Sequence, residues 1–192
     1  MNEPPNKARG RRTLLLLALV ALAPVVASYV AFYWVVPTKR LNYGELLTTA
    51  PAPTLSGTGP GGAPFALTEL RGKWVLLIAS GADCAAACEK ALYATRQART
   101  IQGREQDRVV RAWLQPNGAL APSLGTLTAQ SGLVAARVDP TALAQLPLLG
   151  PDSVTILVID PRGNLVLRYG GDPDIKRLAN DLGRLLRTSQ IG

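Results

Sequence analysis

The sequence predicts an α/β sandwich held behind one N-terminal membrane helix. Three observations carry this. Thr13 to Val36 runs for 24 residues without a charge. Behind it, short β-branched apolar runs alternate with amphipathic helical patterns, the order that lays helices on the faces of a sheet. The two cysteines, Cys84 and Cys88, stand where the first strong strand pattern gives way to the first helix pattern.

The uncharged run comes first. At about 1.5 Å per residue it reaches across the roughly 30 Å apolar core of a bilayer with some tilt to spare. Pro24 lies inside it, which membrane helices tolerate. Tyr29, Phe32, Tyr33 and Trp34 gather at its end, as in an interfacial aromatic belt. Lys7, Arg9, Arg11 and Arg12 precede the run, and Lys39 and Arg40 follow it. The positive-inside rule then keeps residues 1–12 in the cytoplasm and sends the rest outside. A cleaved leader has an apolar core of only about 7–15 residues. The expectation is therefore an uncleaved single-pass anchor, residues 13–36. It places the protein in the inner (cytoplasmic) membrane with a periplasmic C-terminal domain.

Residues 37–64 read as a linker, because Pro51, Pro53, Pro60 and Pro64 with Gly57, Gly59, Gly61 and Gly62 break regular patterns. The domain is expected over 65–192. Phe65 to Lys73 reads as a short strand and a turn. The strand Trp74–Ala79 follows, then a helix from Ala85 to Arg99. Arg108 to Gln115 reads as a strand, Ala121 to Gln130 as a helix, and Leu133 to Val138 as a strand. Pro140 to Leu149 suits one helical turn and a loop. Val154 to Ile159 is the most strongly β-branched run. Asp160 to Asn164 turns it back into Leu165–Tyr169 as a hairpin. Asp172 is expected to cap the last helix, with Pro173 at its first position. In that helix Ile175, Leu178, Ala179, Leu182, Leu185 and Leu186 share one apolar face, read as core packing. Strand, cysteine helix, strand, helix, strand, hairpin, helix is a thioredoxin-like order.

Composition narrows the chemistry. The chain of 192 residues carries a formal net charge of +8, and much of that excess flanks the apolar run. The domain's charges are interspersed, without a basic block interleaved with aromatics, so nucleic-acid binding is not expected. Histidine is absent. This removes Ser-His-Asp and Cys-His catalysis, and a zinc site would need carboxylates beside two thiolates.

Cys84 and Cys88 lie about one helical turn apart on one face. Two sulfurs so placed can share a soft metal ion or, with local adjustment, close a disulfide. The plainer readings are a structural disulfide or two buried thiols. So short a loop constrains the unfolded chain little, which makes a purely stabilising disulfide a weak account. Outside the cytoplasm disulfides form readily, so the pair is a redox candidate. Asp83 opposes a Cys84 thiolate, whereas the helix N-terminus favours it. Lys90 is near in sequence, and Asp83 itself suits a cap or turn.

Several of these residues resemble the Sco/SenC family of membrane-anchored copper chaperones. They are Cys84-Ala-Ala-Ala-Cys88 after Trp74-Val-Leu-Leu-Ile78, the hairpin Leu157-Val-Ile-Asp-Pro-Arg-Gly-Asn-Leu165, and the basic amphipathic last helix. Asn42-Tyr-Gly-Glu-Leu46 is similar to the segment after the anchor in members of that family. The resemblance covers roughly residues 41–192 and the anchor. It implies a thioredoxin-like fold and a role in cytochrome c oxidase assembly. It also implies a copper site on Cys84 and Cys88, completed in the family by a histidine shortly before the hairpin. Here that stretch is Leu149-Gly-Pro-Asp-Ser-Val-Thr155, with Asp152 near the histidine position. A carboxylate suits copper(I) poorly. Copper(I) held by the two thiolates, alone or with a partner's ligand, is the metal the chain can serve. Thioredoxin oxidoreductases differ by Cys-x-x-Cys faced by a cis-proline, where this chain has Val154.

Three functions follow from that reading. The first is an assembly factor that presents Cys84 and Cys88 to an oxidase subunit or another copper chaperone. It would transfer copper(I) or exchange disulfides with that partner. The second is a general periplasmic thiol–disulfide oxidoreductase. The third is a non-catalytic docking scaffold.

Overall fold

Trp74 to Ala79 has no charged side chain, and every residue in it is buried. Such a run must be covered on both faces, so it lies at the centre of a sheet. The computed structural model describes residues 7–34, 42–81, 85–117, 132–150, 153–189 and 191. The expected helix Ala121–Gln130 lies outside the described residues.

The chain forms two units, divided between Leu41 and Asn42. The first holds α1 (Lys7–Trp34), whose stretch Gly10–Tyr33 is long and apolar enough to cross a membrane. Its apolar side chains, Leu14 and Leu19 among them, are exposed. Pro24 lies within the helix.

The second unit is an α/β sandwich. Its elements are β1 (Glu45–Pro51), β2 (Ser56–Thr58), β3 (Pro64–Ala66), β4 (Trp74–Ala79), α2 (Ala85–Ile101), β5 (Val109–Pro116) and β6 (Leu133–Val138). They continue with α3 (Pro140–Leu143), β7 (Thr155–Ile159), β8 (Asn164–Gly170) and α4 (Ile175–Thr188). Among the described residues the strands make one sheet in the order β1-β8-β7-β4-β5-β6-β2-β3. β4, β5 and β6 are parallel, and β7 runs antiparallel to β4. β7 and β8 form the expected hairpin, turned at Asp160. Asp160 Oδ1 accepts from the backbone N–H groups of Arg162 and Asn164, and Gly163 takes φ +91°.

Alternation sorts the strands onto two faces. Trp74, Leu76 and Ile78 face α2 and α4 together with Trp113, Ile156, Val158 and Leu167. Val75, Leu77 and Ala79 face the other way, with Leu114, Leu157, Leu55, Phe65 and Leu143. Leu165 and Leu167 lie in different layers although they are two residues apart. A bulge explains it: Val158 opposes Leu167 and Ile159 opposes Leu165, leaving Val166 as the extra residue.

Two expectations are corrected. Residues 42–64 are not a linker but part of the domain. β1 pairs with β8, β2 with β6 and β3, and Leu55 is fully buried. β1 and β3 are the two edges of the sheet, where proline is tolerated, and β2 and β3 are only three residues long. The last helix is capped by Asp174, not Asp172. Asp174 has the extended backbone of a cap, and its carboxylate accepts from the Arg177 N–H at 2.8 Å. The apolar face of that helix is as expected, with Leu178, Ala179, Leu182 and Leu186 buried.

The same helix holds the start of the domain. Asp181 is 2% exposed, and its Oδ2 accepts from the N–H groups of Tyr43 (2.8 Å) and Gly44 (2.9 Å) and from the Tyr169 hydroxyl (3.0 Å). Three donors satisfy a carboxylate that burial would otherwise disfavour. Gly44 is required at that point, since a Cβ there would run into the Tyr169 ring.

Candidate redox and metal site

The site grows from the end of β4. Ala79 leads into Ser80, which is buried, and then into Gly81. Ser80 N–H donates to the Leu114 carbonyl, and Trp113 Nε1 donates to Ser80 Oγ, each at 3.3 Å. These bonds fasten the exit of β4 to β5. Ala82, Asp83 and Cys84 lie outside the described residues. α2 then begins at Ala85, and Cys88 sits in its first turn.

Cys88 is 4% exposed and packs with Trp74, Ile78, Ala91 and Trp113 in the core on the helical side of the sheet. It is disulfide-bonded, and the described residues contain no free cysteine. The sequence has one other cysteine, Cys84. A disulfide sulfur is not a thiolate, so this form of Cys88 has no lone thiolate to offer a metal. The described residues include no cluster of three acidic or sulfur ligands.

Asp152, at the position of the expected histidine, lies outside the described residues. The chain on either side of it is tied down. Leu149 N–H donates to Thr155 Oγ1 at 3.1 Å, and Ser153 Oγ donates to the Gly150 carbonyl at 2.9 Å. Val154 is buried, and the described peptide bonds are all trans.

Lys90 does not serve the cysteine turn. Its ammonium pairs with Asp172 at 2.7 Å, and both side chains are well exposed. Such a pair contributes about 0.2–1 kcal/mol. The cation beneath α2 is another residue, which sequence reasoning missed. Arg111 on β5 is fully buried, and its guanidinium donates to the Leu92 carbonyl (2.8 Å) and to Thr95 Oγ1 (3.2 Å). Burial, then the nearby Arg96 and Arg99, lowers its pKa to about 10, so it stays charged at neutral pH. The signal was present: a lone arginine inside Val109-Val-Arg-Ala-Trp-Leu114 breaks an otherwise apolar strand. A second polar group on β5, Gln115, is 2% exposed, and its Oε1 has no hydrogen-bond partner among the described residues.

The sequence from Trp74 to Ser189 matches the family model described as transmembrane-like, thioredoxin-like, C-terminal domain. The chain belongs to this family. Solved structures agree on the fold of the transmembrane-like, thioredoxin-like family member. Copper-bound ScoI of Arabidopsis thaliana is 16% identical with a TM-score of 0.60, over 73% of this chain and 100% of that one. Apo Sco1 of Thermus thermophilus is 22% identical with a TM-score of 0.58, over 79% and 98%. The thioredoxin domain of a thiol-disulfide oxidoreductase from Bacteroides vulgatus is 18% identical with a TM-score of 0.53, over 73% and 99%. At these identities the likeness is one of fold, and the fold is thioredoxin-like. No curated protein matches the sequence.

Proposed function

We propose that this protein is a divergent Sco/SenC-like assembly factor, anchored by α1, whose domain works outside the cytoplasm with Cys84 and Cys88 as a redox pair. The observation that carries the reading is Cys88 in a disulfide, in the first turn of α2 at the exit of β4. Structural likeness to Sco proteins and to thiol-disulfide oxidoreductases supports both halves of it.

The exchange is a two-electron step. A partner thiolate attacks one sulfur of the pair, the other sulfur leaves as a thiolate, and a mixed disulfide forms. A second partner thiolate then resolves it. The partner ends oxidised and the Cys84/Cys88 pair reduced, and the reverse direction reduces a partner's disulfide. Burial of Cys88 against Trp74 and Trp113 shields one sulfur from unselective attack.

In the reduced state the pair offers two soft thiolates, which suit copper(I) as cargo. Without histidine, no side chain of this sequence supplies imidazole nitrogen to hold copper(II). Redox state thus gates loading: the dithiol binds copper(I) and the disulfide does not. The partner is a copper-site protein such as an oxidase subunit or another copper chaperone. The absence of histidine favours one second reading, in which thiol exchange with broader periplasmic substrates is the whole activity.

Anaerobic titration of the detergent-solubilised full chain decides between them. The first reading expects one copper(I) per reduced chain, retained against a competing chelator, and none per oxidised chain. Loss of copper(I) from the reduced chain leaves thiol exchange.

A further inference from the structure

α4 shows two unlike faces. Leu178, Ala179, Leu182 and Leu186 are buried against the sheet. Its exposed positions hold Lys176, Arg177, Arg184 and Arg187 and no acid. The acid of this helix, Asp181, is turned inward to Tyr43, Gly44 and Tyr169, and Arg184 Nη1 lies 3.9 Å from its other oxygen. A helix face that only needs to be soluble mixes both signs of charge. This one carries a single sign.

Its place in the chain gives the charge a target. The domain begins on this helix. Asp174 N–H donates to the Tyr43 hydroxyl at 3.2 Å, and the Arg177 guanidinium sits 5.0 Å from the Tyr43 ring centre. Residues 35–42 separate Tyr43 from the end of α1, and the nine steps from Trp34 to Tyr43 span at most about 32 Å when extended. Lys39 and Arg40 within that stretch add two more positive charges. With α1 inserted in a bilayer, the length of this tether alone bounds how far the domain can move from that bilayer.

We propose that the basic face of α4 docks on the anionic phospholipid headgroups of the bilayer that holds α1. Each basic side chain near an anionic surface is attracted within a Debye length, about 8 Å at physiological salt. Tethering keeps the local concentration of surface high, so four side chains suffice without an apolar contact. α2 packs beside α4, with Gln102 Nε2 donating to the Ala179 carbonyl at 3.0 Å. Docking therefore restricts how the cysteine-bearing helix can be presented to a membrane-embedded partner. The proposal rests on α1 being inserted, not on any metal or redox activity.

The test uses the full chain with Asn180→Cys, labelled by a fluorophore without reductant, so that the native disulfide stays closed. The chain is placed in nanodiscs that carry a headgroup-attached quencher. One set is phosphatidylcholine, and the other contains about 30 mol% phosphatidylglycerol. Quenching is expected to rise by about two-fold or more in the anionic discs and to collapse when salt is raised to about 0.5 M. Lys176→Gln with Arg187→Gln, which leaves the Tyr43 and Asp181 contacts in place, is expected to remove at least about half of the rise. Equal quenching in both lipids, or a rise that survives high salt, overturns the proposal and assigns the face to an acidic protein partner. A chain that does not purify with the discs shows instead that the anchor reading has failed, and the proposal falls with it.

Discussion

The Arg111 guanidinium donates to the carbonyl of Leu92, 2.8 Å away and one turn beyond Cys88 in α2. A charged strand residue thus braces the cysteine helix from beneath, and Thr95 Oγ1 takes a second bond from it. Truncation would remove both bonds and leave a cavity between β5 and α2. Arg111→Ala is expected to destabilise the domain by about 3 kcal/mol. Arg111→Lys should recover part of the loss, because an ammonium fills much of the volume but lacks the planar fork. Urea unfolding followed by tryptophan fluorescence checks both. A loss in Arg111→Ala below about 1 kcal/mol would show that the brace is dispensable.

Tyr169 predicts an alkaline limit to stability. Burial, then the charge of Asp181, its hydrogen bond and Tyr43, push the Tyr169 hydroxyl well above its ordinary value of 10.0. Above pH 10 the unfolded chain loses this proton while the folded domain keeps it. The folded state then binds more protons, so stability falls as pH rises through that window. Arg111 acts in the opposite sense: its folded pKa of about 10 lies below its ordinary 12.5, so between those values the unfolded chain binds more protons and stability rises. Tyr169→Phe leaves the Arg111 contribution in place and removes the loss. The stability of wild type relative to Tyr169→Phe is expected to fall progressively above pH 10, and guanidinium unfolding at stepped pH measures it. A constant difference would contradict a Tyr169 hydroxyl raised by burial and by Asp181.

The architecture was largely legible because hydrophobic pattern is a local signal. β4, β6 and the hairpin follow from runs such as Trp74–Ala79 and Leu133–Val138. The edges were not legible. Leu55 is fully buried, but it stands between Pro53 and Gly57, where no periodicity marks a strand. Pairing with β6 and β8, distant in sequence, makes β2 and β1 what they are. The cap failed for a related reason: Asp172 and Asp174 flank Pro173 alike, and the capping bond to Arg177 together with the pull of Lys90 on Asp172 separates them. At the site, Cys88 was legible as a chemical type at a strand–helix junction. Its burial depends on Trp74 and Trp113 from two strands, and Arg111, on the same strand as Trp113, bonds the Leu92 carbonyl one turn further along α2.

Thiol chemistry tests the cysteine pair directly. The full chain as purified under air is expected to show no reactive thiol. After mild reduction in the folded state, two thiols per chain should be alkylated. Cys88 should react at least about ten-fold more slowly folded than unfolded, since it is 4% exposed. Mass spectrometry of alkylated peptides over time reads both cysteines separately. If reduction of the folded chain releases no reactive thiol, the disulfide is a permanent structural bond and exchange is not its function.

The last expectation concerns which copper ion the chain can keep. Copper(II) prefers nitrogen and oxygen ligands in tetragonal geometry, and histidine ordinarily supplies the nitrogen. This sequence contains no histidine, and thiolates facing copper(II) give up electrons to it and close as a disulfide. Cys88 is already found in that oxidised form. The reduced wild-type chain is therefore expected to reduce added copper(II), closing its disulfide, and to show no persistent sulfur-to-copper(II) absorption band. Asp152→His supplies the missing imidazole between Gly150 and Ser153, whose neighbours are held by the Ser153–Gly150 and Leu149–Thr155 bonds. In that variant a sulfur-to-copper(II) band should appear and last for minutes or longer. Visible absorption and electron paramagnetic resonance of the two proteins, side by side, read the outcome. A stable band in the wild type would mean that a ligand other than histidine completes the site, and no band in Asp152→His would mean that residue 152 does not reach the sulfurs.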